Sequence, residues 1–163
     1  MLSGATGQLY GSAYTWKLPS GWLSSWRSKL DTPGVIQLSY MKNLFATRKW
    51  YDLVPDQTHS VVTVGYGTPA HFGTGSITTD TYATAARASD GTLVIAYVPT
   101  IRTVTVDMSK LSGLARARWY DPTTGEYTDV TGAPFANTGS RQFTPPGNNH
   151  EGDGDWVLVL DAD

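Results

Sequence analysis

Beyond Pro55 the sequence is cut into short runs of β-forming residues with turn residues between them. The runs are "SVVTVGYG" (60–67), "TYATAARA" (81–88), "TLVIAYV" (92–98), "RTVTVDM" (102–108), "ARARWY" (115–120), "EYTDV" (126–130), "RQFTP" (141–145) and "DWVLVLD" (155–161). Several alternate apolar and polar residues, the period of a half-buried strand, and Gly, Pro, Asp and Asn fill the gaps. Parallel pairing calls for helical crossovers, and no helical run separates these segments. The expectation is a mainly β protein, an antiparallel β-sandwich of about eight strands.

Two turns are written explicitly. In "RWYDPTTGEYTDV" (118–130), Trp119 and Tyr120 end one strand, Pro122 pre-sets φ for a tight turn and Gly125 supplies a positive φ, so Tyr127 returns antiparallel. Asp90 and Gly91 turn the chain into its most apolar strand, which belongs in the middle of a sheet.

Before Pro55 the texture is helical. "TPGVIQLSYMKNLFATRKW" places Val35, Leu38, Met41, Leu44 and Phe45 at helical spacing, with Thr32 to cap, Pro33 at the first position and Arg48 and Lys49 at the negative end of the dipole. This predicts a helix over 33–48. A second is expected over 21–30, with Trp22 and Trp26 four apart on one face. The opening "SGATGQLYGSAYTW" (3–16) packs three glycines and three aromatics into an extended stretch, the texture of a strand ending at a binding site.

Composition removes several chemistries. There is no cysteine, which excludes disulfides, thiolate metal sites and cysteine nucleophiles. Twelve basic residues against fourteen acidic ones, with no basic block, argue against nucleic acid or an anionic membrane as a partner. No apolar run reaches membrane-spanning length, and "MLSGATGQ" carries no export signal. His59, His71 and His150 stand in separate turns without zinc spacing, and no G-x-S-x-G elbow points to a serine nucleophile.

Several motifs in order, "LVPDQ" (53–57), "YATAARASDGTLVIAYVP" (82–99), "VDMSKLSG" (106–113), "ARWYDPTTGEY" (117–127) and "GDWVLVLD" (154–161), resemble the C-terminal region of apiosidase-like glycoside hydrolases. That region carries a β-sandwich called the "putative collagen-binding domain". The resemblance covers nearly the whole chain and implies a division into 1–55, similar to the last βα unit of a (β/α)8 barrel, and 56–163, the sandwich. It also implies an extracellular or periplasmic setting and a sequence that starts just before the barrel's last strand. Catalytic carboxylates of such barrels lie on several different strands, and 1–55 offers only Asp31 and Asp52, both turn residues. Catalysis is therefore not expected of this chain.

Candidate binding residues are the aromatics: Tyr10, Tyr14 and Trp16 on the barrel-like stretch, and Trp119, Tyr120 and Tyr127 around the hairpin if the sheet turns them outward. For Trp119 and Trp156 a core position is the competing and favoured reading, and Trp22, Trp26 and Trp50 suit a seam between helices and sandwich. "GNNHEGDGD" (147–155) crowds Asn148, Glu151, Asp153 and Asp155 around glycines, as a calcium loop does, but without EF-hand spacing. A plain solvated turn is favoured, and with it no cofactor. The expected function is a non-catalytic accessory module whose partners are a catalytic barrel and polysaccharide. A collagen-binding module and a hydrolase activity on the chain itself are the alternatives, and a homodimer through residues 3–16 is a further expectation.

Overall fold

The computed structural model describes residues 1–7, 11, 30–69 and 80–162. Tyr10, Tyr14, Trp16, the expected helix up to residue 29 with Trp22 and Trp26, and His71 lie outside the described residues.

The elements follow in order: helix α1 (Pro33–Ala46), a 3-10 turn (Trp50–Asp52), then β1 (Leu53–Pro55), β2 (Val62–Val64), β3 (Thr84–Ala88), β4 (Leu93–Val98), β5 (Val104–Asp107), β6 (Ala115–Tyr120), β7 (Tyr127–Asp129), β8 (Ser140–Phe143) and β9 (Trp156–Ala162). Each of the eight runs read from the sequence overlaps one of β2 to β9, with β8 starting one residue before its run and β9 ending one residue after, and β1 adds another. All pairs are antiparallel, in a six-stranded sheet of order β1-β3-β4-β9-β6-β7 and a three-stranded sheet of order β2-β5-β8. The architecture is mainly β and sandwich-like, with one α-helix among the described residues.

The two sheets share one core. Val62, Val104, Val106 and Phe143 of the smaller sheet meet Val94, Ala96, Val98, Ala117, Trp119, Trp156, Leu158 and Leu160 of the larger. The intervening positions of the larger sheet are also buried: Leu93, Ile95, Val157 and Val159 form a second cluster with Leu44 and Phe45 of α1. Both faces of β4 and β9 are thus apolar and covered, which explains why these strands read as continuous hydrophobic runs.

Helix α1 is shorter than the sequence suggests. It stops at Ala46 because the Arg48 N–H bonds the Phe45 carbonyl at 2.9 Å and the Arg48 guanidinium turns back to the Leu44 carbonyl at 2.7 Å. Thr32 takes the capping position in extended backbone, but its side chain makes no capping bond. Its carbonyl accepts from Val35 and Ile36 instead.

Candidate functional site

The outer face of the six-stranded sheet lies under α1. Between it and α1 lies a cleft of about 430 Å³, lined in part by Leu38, Met41, Ile95, Tyr97, Tyr120 and Val157. The lining is apolar except at one end, where the Tyr97 hydroxyl donates to Asp155 Oδ2 at 3.1 Å. Burial and Asp155 push the Tyr97 phenol well above its usual range. The same burial raises Asp155, with the charges of Asp153 and Asp121 adding to it.

Asp155 belongs to the loop 147–155, some of whose oxygens are engaged within the loop and others by Tyr97 and Gln37. Asn149 is its organiser: Oδ1 accepts the N–H groups of Glu151 and Asp153 at 3.1 and 3.0 Å, and Nδ2 donates to Asp155 Oδ1 at 2.7 Å. Asn148 donates to the Gly152 carbonyl, and Trp156 Nε1 to that of Gly147. Glu151 accepts from Gln37 of α1 at 3.2 Å. Among the described residues no three His, Cys, Asp or Glu side chains converge to hold a metal ion.

At the hairpin, Tyr120 pairs with Tyr127 and Trp119 with Thr128. Asp121 Oδ1 takes the Thr123 N–H at 2.7 Å and Oδ2 takes the His150 N–H at 2.9 Å, so one buried carboxylate ties the hairpin turn to the 147–155 loop. Burial alone would raise Asp121, but these bonds outweigh it and hold the carboxyl below its usual range. Gly125, at φ 78°, lies so close to the Tyr40 ring that a Cβ there would stand 2.9 Å from it.

Trp119 is 3% exposed in the core between the sheets, and Tyr120 is 3% exposed beneath α1, where its hydroxyl donates to the Tyr40 carbonyl. Neither turns a ring to solvent. Of the three hairpin aromatics only Tyr127 reaches the surface, at 37% exposed, and Arg118 lies over its ring at 4.2 Å. Trp156 is likewise a core residue, and Trp50 packs on the cluster under α1.

Two groupings join residues far apart in sequence. Asp161 accepts both Nε and Nη2 of Arg48 at 3.0 Å and Nη2 of Arg118 at 2.5 Å, while Arg48 also donates to the Tyr127 hydroxyl at 3.0 Å. This fastens the end of α1 to β6, β7 and β9. At the opposite sheet, His59 stacks on Tyr66 with centroids 3.6 Å apart and meets Tyr82 edge-on at 5.7 Å. His59 sits at φ 54°, a left-handed conformation rare for a non-glycine residue. Asp56 holds the loop that puts it there, accepting the N–H groups of Ser60, Val61 and Val62 at 2.7, 3.1 and 2.8 Å.

Chain comparisons connect this geometry to known proteins. The sequence profile of the family described as "Putative collagen-binding domain of a collagenase" matches residues 70–161. The chain belongs to that family. The match takes in β3 to β9, so this collagen-binding-type domain comprises most of the sandwich. A solved structure titled "Glycoside hydrolase" is similar over 94% of this chain and 29% of its own, with 30% identity and a TM-score of 0.63. A glycoside hydrolase family 5 from Bacteroides vulgatus ATCC 8482 is similar over 84% of this chain and 26% of its own, with 28% identity and a TM-score of 0.62. The chain therefore spans under a third of the length of these hydrolases. No curated protein matches it.

For a domain of this family, neither long-range grouping could be read from the sequence. Tyr66 stands between two glycines at the close of one predicted strand and Tyr82 at the start of the next, but their meeting with His59 depends on loop positions fixed by Asp56. The Arg48–Asp161–Arg118 grouping depends on the pairing of β6 with β9.

Proposed function

We propose that this chain is a non-catalytic accessory module of a glycoside-hydrolase-like protein, a sandwich that packs against a catalytic barrel and helps hold polysaccharide. The observation that carries the reading is the likeness to a part, 26% and 29%, of two glycoside hydrolase chains over most of this chain's own length. The fold adds a physical argument. A free-standing sandwich usually leaves its outer faces polar, whereas here the outer face of the larger sheet is apolar and α1 is laid over it. In this reading residues 1–55 are the last part of the barrel, α1 is the piece of it that meets the sandwich, and 56–163 is the module proper.

Four carboxylates of the sandwich are taken up in holding the fold. Glycoside hydrolysis needs an acid and a second carboxylate free to face one bond. Asp56, Asp121 and Asp161 are committed to backbone N–H groups or guanidiniums, and Asp155 to Tyr97 and Asn149.

The family description favours a second reading, a module for collagen-like protein. Affinity electrophoresis of the chain in gels containing pectic or arabinogalactan polysaccharide, beside a pull-down on fibrillar collagen, separates the two. Retardation by polysaccharide without collagen retention is expected. Retention on collagen alone would overturn the polysaccharide reading in favour of the second.

A further inference from the structure

The geometry points to the outer face of the three-stranded sheet, with the aromatic corner at its edge, as a surface for a neutral polysaccharide. This rests on the polysaccharide-holding part of the accessory reading and names where the sugar chain lies.

The face is built by strand alternation. Val104 and Phe143 are partners and point into the core, so their neighbours Thr105 and Gln142, also partners, point outward. One step along, the hydroxyls of Thr103 and Thr144 meet at 2.8 Å across the same two strands. On the other side Thr63 of β2 leans to the Thr105 carbonyl at 3.4 Å. The result is a row of hydroxyl and amide groups, exposed at Thr63, Thr103, Gln142 and Thr144, with the exposed Val64 opposite Thr105 and with Asp107, the next outward residue of β5, at one end. The nearest carboxylate on β5, Asp107, is occupied by the Ser109 N–H and hydroxyl, and Lys110 stands 3.8 Å from it.

The aromatic corner adjoins this row through Gly65. That glycine, at φ 82°, presses on the Thr103 carbonyl so closely that no side chain fits there. Tyr66 follows it directly, stacked on His59 and braced by the edge of Tyr82, whose hydroxyl lies 3.4 Å from His59 Nε2. All three rings are partly exposed. The guanidinium of Arg102 nearby donates to the Thr81 carbonyl and the Thr100 hydroxyl.

Flat rings accept the C–H face of a sugar ring, and hydroxyls and amides exchange hydrogen bonds with its rim. A ligand that laid formal charges along Thr63, Thr103, Thr105, Gln142 and Thr144 would lose their hydration without meeting a counter-charge among those side chains. The chemistry thus selects an uncharged, polyhydroxylated chain over a polyuronate. A collagen-like helix is less well matched, because docking of polyproline segments uses an aromatic-lined groove and this surface is a level row of polar groups beside one corner.

Two variants test the surface without threatening the fold. His59→Gly removes a ring at a position whose backbone already suits glycine, and Gln142→Glu puts a charge on an exposed position. The full chain and both variants are run in affinity gels containing a neutral arabinan, galactan or β-glucan, or polygalacturonate, with Tyr51→Ser in the turn before β1 as a comparison. A neutral polysaccharide should retard the full chain and Tyr51→Ser, each of the two variants should weaken this about tenfold in Kd, and melting temperatures should stay unchanged. Retardation that both variants retain, or that only polygalacturonate produces, overturns this site and leaves the accessory reading standing. A full chain that no polysaccharide retards overturns the site together with the reading beneath it.

Discussion

Asp161 shows how a single residue joins the parts of the molecule. It is partly buried and receives two guanidiniums, Arg48 from the end of α1 and Arg118 from β6. Burial by itself would raise its pKa, but the bonds and charges of Arg48 and Arg118 outweigh burial and hold it below the usual carboxylate range. A depressed folded pKa means that the stabilisation is complete above the unfolded value, near about 3.9, and is lost as pH falls through the folded one. Asp155 runs the other way: burial raises it, so its contribution is present at low pH and fades as pH rises through its folded value. Asp161→Asn leaves two cations facing each other and should cost roughly 3 kcal/mol at neutral pH, the low end for an interior pair because part of Asp161 remains exposed. In thermal melts the gap between Asp161→Asn and the parent should be widest above about pH 5 and should narrow as pH falls below the unfolded value and through the lower folded one, where the parent carboxyl takes up its proton. A gap that stays constant down the acid limb would show that Asp161 does not act as a charge. None of this was legible in the sequence, where Asp161 is the last residue of a strand run and Arg48 a helix-end cation, because partners 113 positions apart meet only through tertiary packing.

At the scale of elements, the alternating runs gave away β2 to β9, since period-two patterning and turn residues act locally. The turn at Asp121–Glu126 was readable for the same reason: Pro122 and Gly125 are conformational constraints that do not need the rest of the fold. β1 was not, because Leu53–Pro55 is too short for a period and pairs with β3 only once the chain has returned. The purpose of α1 was half legible. Its apolar stripe announced a buried face, but not which surface it covers, nor that Leu44 and Phe45 are its only fully buried residues. Trp119 and Tyr120 make the same point at the hairpin. Adjacent residues on a strand face opposite ways, and here both directions are interior, one to the sheet interface and one to α1. Phe45, 7% exposed against Val159 and Ile95's cluster, should therefore carry much of the helix docking. Phe45→Ala is expected to cost about 3 kcal/mol or more in a denaturant titration, whereas Val35→Ala, on the less covered part of the helix, should cost under about 1.5 kcal/mol. Equal losses for the two would mean that α1 is held by its ends rather than by its face.

At the scale of the whole molecule, the sandwich has two outer faces of opposite character. One is apolar and roofed by a helix, the other a largely polar row with an aromatic corner. In the accessory reading proposed above the apolar face packs and the polar face holds the sugar chain, and the likeness to under a third of two glycoside hydrolase chains agrees with that reading. The central claim is that such a module carries no catalytic pair of its own. The most direct measurement is hydrolysis of apiosides, aryl glycosides and pectic oligosaccharides by the purified chain, followed by reducing-end release against a buffer blank. The account predicts no turnover above the blank; turnover that disappears on Asp155→Asn or Asp121→Asn, in a variant that still folds, would contradict it.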